Sequence, residues 1–333
     1  MKLELRSVRI KNCGPIDDIK IDFFDASDKT LPVCVIGGAN GSGKTTILEA
    51  IAAVFQNFGY GQSSEFLKSY FSEKPDFYIQ LDLLLHDIQI PNVNEISLVA
   101  GKIPLDVKLL PTFFEIYQWN ASRDSNAEMS ELHQEVRKKQ GATDGGGAPR
   151  TGPFPTILFF PHNRSLEAIT GTQIHKENEE YHFFRRFQTV RQFPGSLNSY
   201  LIWLDYSEPE RYDSTRRFLN SLNFNEKSFY VDRKELEVFV KTKDGHRHRI
   251  HELSSGEQNS LIIFIELYRK LTIGSIVLID EIENSLHPAY QHRLAQGLLA
   301  LQKEIPYQLI VTTHSHTFVE IFGAENTRLL TQF

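Results

Sequence analysis

The first third of the chain changes its hydrophobic period twice. Leu3-Glu-Leu-Arg-Ser-Val-Arg-Ile10 and Ile19-Lys-Ile-Asp-Phe23 alternate apolar with polar side chains, which predicts two half-buried strands joined through the turn-forming run Asn12–Pro15. The continuous apolar run Leu31–Ile36 predicts a third strand, buried on both faces. From Thr45 to Phe55 the period becomes helical, with Ile47, Leu48, Ile51, Ala52 and Phe55 sharing one face. Phe77–Leu85, Glu95–Val99 and Asp106–Leu110 then predict three antiparallel strands, because their connections are too short for crossover helices. Thr156–Phe160 reads as a strand, after which Arg, Tyr and helix formers dominate to about residue 222, predicting a helical subdomain. Lys234–Val240 and Arg247–His251 flank Asp244-Gly245 and predict a hairpin. Ser275–Ile279 and Gln308–Thr312 are short β-branched runs on either side of a helical stretch over 289–303, the pattern of buried parallel strands. No internal repeat and no long heptad run interrupts this α/β order.

Chemistry sits where strands end. Gly38-Ala-Asn-Gly-Ser-Gly-Lys-Thr-Thr46 matches the phosphate-binding pattern G-x-x-x-x-G-K-[ST] between a strand and a helix, where backbone N–H groups and a helix N-terminus converge on phosphate. Gly38, Gly41 and Gly43 let the main chain close on the anion, Asn40, Ser42 and Thr46 complete the loop, Lys44 reaches the β/γ oxygens, and Thr45 is placed for Mg²⁺. In Ile276-Val-Leu-Ile-Asp280-Glu281 two acids follow four apolar residues at the end of a buried strand. Asp280 suits Mg²⁺ and Glu281 suits polarising the attacking water. Leu253-Ser254-Ser255-Gly256-Glu257-Gln258 opens a further helical run and predicts a second anion-binding surface on Ser254 and the N–H of Gly256.

On these residues the chain resembles ATP-binding-cassette ATPases of the SMC, RecF and OLD-like branch. LSSGEQ is similar to that family's signature motif, Asp280–Pro288 to its catalytic segment and D-loop, and Val311-Thr-Thr-His314-Ser315 to its switch-histidine motif. The resemblance covers roughly residues 1–56 and 253–318. It implies an ABC-ATPase-like P-loop fold, with a mixed sheet carrying an antiparallel part and a helical signature lobe. It further implies ATP and Mg²⁺ as ligands, Glu281 and His314 as catalytic residues, and Ser254, Ser255, Gly256 and Glu257 meeting nucleotide held by a second subunit in an ATP-glued homodimer. One domain is expected, with lobe I over about 1–165 and 272–333, a mobile glycine-rich loop at 141–153, and lobe II over about 166–271. Glu283 and His287 imitate an i, i+4 metal pair, but the D-loop reading is the stronger. Gln80 and Gln118 are candidates by residue type alone for the Mg²⁺-sensing glutamine. Phe159–Arg164 resembles the lobe junction of such heads, with no role assigned to Arg164. The chain ends at Phe333 without the family's nuclease domain or coiled-coil arm, so the expected effector, a nuclease or toxin, is a separate polypeptide.

Composition narrows the partners. The formal net charge is −6, so nucleic acid, DNA or RNA, has to meet a local basic surface. Candidate clusters are Arg185, Arg186 and Arg191; Arg211, Arg216 and Arg217; and Lys241, Lys243, Arg247 and Arg249. No apolar run is long enough for a membrane span, and the N-terminus lacks a signal-peptide core. Cys13 and Cys34 have no metal or redox spacing, which fits a reducing cytoplasm. Three functions stay open: an ATPase head acting in DNA maintenance or anti-phage defence, an ATP-gated scaffold for a toxin or nuclease, and, disfavoured by the antiparallel strands, a transporter ATPase.

Overall fold

The structure, a computed structural model, describes every residue except 75, 89, 92, 142–153, 169–172, 177–179, 190–194, 222–226 and 331–333. Most of the expected glycine-rich loop therefore lies outside the described residues, as does Arg191.

An antiparallel-rich sheet contains β1 (Lys2–Cys13), β2 (Ile16–Asp22), β4 (Tyr78–His86), β5 (Glu95–Gly101), β6 (Phe113–Gln118) and β7 (Ala121–Asp124) in the order β2-β1-β4-β5-β6-β7. A second, wholly parallel sheet contains β3 (Val33–Gly38), β8 (Ile157–Phe160), β9 (Phe184–Arg186), β13 (Ile276–Ile279), β14 (Gln308–Thr313) and β15 (Thr327–Leu330) in the order β15-β3-β14-β13-β8-β9. A small antiparallel sheet is made of β10 (Ser228–Asp232), β11 (Glu237–Lys241) and β12 (Arg247–Arg249). The helices are α1 (Lys44–Tyr60), α2 (Glu65–Glu73), α3 (Ala127–Lys139), α4 (Leu197–Ser207), α5 (Pro209–Ser221), α6 (Ser255–Lys270), α7 (Pro288–Glu304) and α8 (His316–Phe322).

Strand alternation divides the interior in two. Cys34, Ile36, Ile157, Phe159, Ile276, Leu278 and Ile310 point to the side of the antiparallel sheet, while Val33, Val35, Leu158, Phe160, Val277, Ile279, Leu309 and Val311 join the core on the other side. That is why these strands read as unbroken apolar runs. Helix α1 belongs to the first core and α4, α6, α7 and α8 to the second.

Two expectations need correction. Asp106–Leu110 is not a strand; the third strand is Phe113–Gln118, and it runs parallel to β5, with Ser97 opposite Phe113. The intervening residues 102–112 return along the sheet without a helix, which eleven extended residues can span easily. Among the described residues, the segment after residue 166 also does not turn helical at once: Phe184–Arg186 first pairs with β8, and the next helix begins at Leu197. The hairpin around Asp244-Gly245 forms as expected, with Gly245 at φ 92, and β10 adds a strand that its sequence did not advertise.

One buried amide ties the two large sheets together at Leu5, beside the bonds of Arg328 on β15 to the carbonyls of Asp22 and Phe24. Gln308 is buried at the start of β14; its Oε1 accepts from the Leu5 N–H at 2.8 Å and its Nε2 donates to the Leu5 carbonyl at 2.9 Å. Replacing it by leucine leaves both main-chain groups of Leu5 without these partners. Gln308→Leu should therefore lower unfolding stability by about 3 kcal/mol, measured by denaturant titration, whereas substitution of the exposed Gln118 should change it little.

Candidate nucleotide site

The C-terminal ends of β3, β13 and β14 lie side by side, with Gly37 opposite Thr313 and Ile279 opposite Val311. This register places the loop 38–46, the acids 280–281 and His314 along one edge of the parallel sheet. Helix α1 starts at Lys44 behind Gly43, at φ 86, with no side-chain cap. By contrast α2, α3, α4, α6, α7 and α8 each begin under a side-chain acceptor. An uncapped helix start left open to an anion is what a phosphate loop requires.

The loop fits a phosphate by three further observations. A Cβ at Gly38 would stand 2.7 Å from Ser42 Oγ, and one at Gly43 2.8 Å from Ile16, so the close approach depends on glycine at both. Ser42 Oγ is buried without a partner. Lys44 Nζ donates to the carbonyls of Gly38 at 2.9 Å and Ala39 at 2.7 Å, inside its own loop. Burial lowers the Lys44 pKa, opposed by the fields of Glu281, Glu283 and Asp280. Asn40 and Gly41 are exposed at the loop tip, and Thr46 is half-buried.

Asp280 is fully buried. Its carboxylate accepts from Thr45 Oγ1 at 2.9 Å and from Thr312 Oγ1 at 2.7 Å, and His162 Nδ1 lies 3.4 Å away. Thr45 and Asp280 thus come together, two hard oxygen donors of the kind Mg²⁺ takes. Thr312 Oγ1 also accepts from the Glu281 N–H at 2.7 Å, wiring the two acids to β14. Glu281 itself sits at φ 46, in the left-handed region. Arg164, 6% exposed, donates through Nη1 to the carbonyls of Phe160, Pro161 and Asp280, and through Nη2 to that of Glu281. Burial lowers its pKa to about 10, and the three acids 280, 281 and 283 pull the other way, so it is cationic at neutral pH.

Glu283 accepts from Thr313 Oγ1 at 2.7 Å and from the His314 N–H at 2.5 Å, so it shapes the turn that presents the exposed His314. His287 instead caps α7 through the Ala289 N–H, and no group of three or more metal-ligating side chains occurs among the described residues. Gln80 is engaged with Tyr78 and Asp82, and Gln118 is exposed at the end of β6.

The signature segment starts α6. Ser254 and Ser255 are exposed; Gly256 and Glu257 are buried. Ser254 and Glu257 form a reciprocal capping box, and Lys227 Nζ lies 2.6 Å from Glu257. A Cβ at Gly256 would stand 2.6 Å from the Ser285 carbonyl, and Asn259 Nδ2 donates to the Asn284 carbonyl at 2.7 Å. The helix therefore packs directly on the loop that follows Glu281. Thr312, His162 and Arg164 lie inside segments that the sequence singles out, but without a role, and Lys227 is not singled out at all, because each acts through a single hydroxyl, ring or cation.

Fold and site together define a P-loop ATPase with an ABC-type nucleotide lobe. The family described as "AAA domain, putative AbiEii toxin, Type IV TA system" matches residues 151–320, and "AAA ATPase domain" matches residues 1–143. The chain belongs to the first of these families. Septu protein PtuA of Bacillus mycoides (strain KBAB4) is 25% identical over 320 residues, 93% of this chain and 38% of that protein. Retron Ec83 probable ATPase of Escherichia coli is 25% identical over 216 residues, 62% of this chain and 35% of that protein. The chain thus spans little more than a third of the length of either relative. Among solved structures, an SMC head bound to the C-winged helix domain of ScpA is similar with a TM-score of 0.52 at 14% identity, covering 96% of this chain and 91% of that one, which shows the fold.

Thr312→Val keeps the side-chain volume but removes the hydroxyl that joins Asp280 to Glu281. It should cost about 1–3 kcal/mol of stability, read by chemical denaturation, and slow steady-state ATP hydrolysis.

Proposed function

We propose that this ATPase closes its nucleotide pocket by pairing with a second copy of itself, and that the cycle controls a separate effector in prokaryotic anti-phage defence. The observation that carries the reading is the exposure of Ser254 and Ser255 at the start of α6: the capping box engages the Ser254 and Glu257 N–H groups, yet both serines stay open to an anion presented by another molecule. The relatives named for Septu and retron systems favour defence over DNA maintenance. Lobe I comprises about 1–165 and 272–333 and lobe II about 166–271, with β9 reaching across to the lobe I sheet.

Within one copy, the main chain of 38–46 wraps the phosphates and Lys44 leaves its own loop carbonyls for the β/γ oxygens. Mg²⁺, when bound, is held by Thr45 and Asp280 and neutralises phosphate charge. Glu281 orients and polarises the attacking water, and His314 hydrogen-bonds at the γ-phosphate end. Across the pair, Ser254, Ser255 and the backbone of α6 complete the cradle. Gly256 serves by allowing close packing on Ser285, and Glu257 by holding the cap.

A second reading, an ATP-gated regulator that holds a nuclease or toxin and never touches DNA, gains support from ion pairing. Arg186 bonds Glu49, Arg211 bonds Glu208, Arg216 bonds Asp213, Arg247 bonds Asp232 and Glu235, and Arg249 bonds Glu237. Those cations are already matched within the chain. Direct phosphate contact would show as DNA affinity that falls steeply with salt; salt-independent or absent binding selects the regulator.

Glu281→Gln should retain ATP binding, lose turnover by about 10²–10⁴-fold and, on adding ATP, shift toward twice the monomer mass in light scattering. A chain that stays monomeric with ATP bound would remove the pairing from the proposal.

A further inference from the structure

We propose that Arg164 is the positioning residue for hydrolysis: it sets the backbone of Glu281, and so the aim of that carboxylate, without touching the nucleotide. The inference rests on the reading of Glu281 as the base.

The geometry is that of a clamp across two chain ends. The Nη1 of Arg164 reaches the Phe160 carbonyl at 3.2 Å and the Pro161 carbonyl at 2.6 Å, where β8 ends, and the Asp280 carbonyl at 2.8 Å, where β13 ends. Its Nη2 reaches the Glu281 carbonyl at 3.2 Å. The two strands are neighbours in the sheet, so one planar fork closes the gap between their outgoing loops. The Asn284 side chain adds a second tie by donating to the His162 carbonyl at 2.7 Å.

What the clamp holds is a backbone that would not stay by itself. A glutamate at φ 46 is in a region that L residues rarely occupy, and it persists only where surrounding bonds over-determine it. Here the Glu281 N–H is fixed by Thr312 Oγ1, and its carbonyl accepts from both the Asn284 N–H at 2.9 Å and Arg164. Removing Arg164 takes one of the two donors from that carbonyl. Arg164 is linked to the phosphate loop only indirectly, through the Asp280 main chain and the bond of that carboxylate with Thr45, so the affinity for ATP is the control that separates the two effects.

A general structural role and a positioning role differ in what they move. Loss of packing lowers stability and nucleotide affinity together. Misaiming the base lowers the chemical step alone, because a displacement of about 1 Å can cost about 10²-fold in rate. A residue acting through Glu281 also has nothing left to act on once that carboxylate is gone.

The experiment is a double-mutant cycle on the full chain, Arg164→Lys and Arg164→Ala, each with and without Glu281→Gln. It reads ATP affinity by calorimetry, kcat at saturating ATP and the thermal midpoint. Expected is a kcat lower by about 10²-fold in Arg164→Lys, ATP affinity preserved, and no further loss of the residual rate in the Glu281→Gln background. Lysine keeps the charge but not the planar fork, so it serves if the alanine variant does not fold. Unchanged kcat in Arg164→Lys, affinity falling in step with kcat, or losses that multiply in the double variant would each overturn the positioning role. Full turnover in Glu281→Gln alone would instead remove Glu281 as base, and this inference with it.

Discussion

Everything at the sheet edge is organised around one carboxylate that has no access to solvent. Asp280 is completely buried, and a buried charge survives only with partners, so the fold must bring donors to it from separate parts of the chain. Thr45 supplies one from the first turn of α1 and Thr312 another from β14, while His162 approaches from the loop after β8. Those segments are more than a hundred residues apart in sequence. Satisfying Asp280 is therefore close to the same thing as assembling this sheet edge: the glycine-rich loop, the strand that ends in the two acids and the histidine turn cannot each find their place independently. Glu283 repeats the logic one turn later, using its two oxygens to hold Thr313 and the His314 N–H.

The parts of this arrangement that the sequence reveals are those built from contiguous residues. A phosphate loop needs glycine at fixed steps and a helix directly after it, so residues 38–46 are legible alone, as are the apolar strands that end in Asp280 and His314. Helix and strand periods carried the core in the same way, because Cys34 and Ile36 on one side and Val33 and Val35 on the other are alternation made visible. The parallel pairing of β6 with β5 was hidden because residues 102–112 return without a helix, and so short a connection has the length of an antiparallel turn. The roles of Arg164 and Gln308 were hidden for another reason. Both work by bonding main-chain carbonyls or N–H groups, which every residue possesses, so no partner residue in the sequence points to them.

The surface charge is largely turned inward. Arginines that look like a nucleic-acid footprint in sequence are mostly bonded to a nearby acid, several within one helical turn, such as Arg211 with Glu208 and Arg216 with Asp213. Each such exposed pair adds little stability, about 0–1 kcal/mol, but it cancels the local field that would draw a phosphate backbone. With the net charge at −6, attraction for DNA by the chain has to come from geometry rather than from bulk potential. The two cysteines are equally withdrawn: both are buried, and burial pushes each thiol up to about 12, away from reactivity at neutral pH.

The last position of the signature poses an electrostatic problem that its surroundings resolve. A carboxylate in the first turn of α6 complements the helix dipole, but it would repel a triphosphate brought to that same helix start. Glu257 avoids this by facing inward. It is 4% exposed, one oxygen takes the Ser254 N–H and hydroxyl, and the other lies 2.6 Å from Lys227. The pair is neutral as a unit, so the exposed end of α6 presents serine hydroxyls and main-chain N–H groups without a bare negative charge beside them. The capping box that a purely structural account would predict is thus present, and it is also what leaves the surface fit for an anion. Cap and proposed cradle are the same residues viewed from inside and outside the helix, and Lys227 is what makes the two roles compatible.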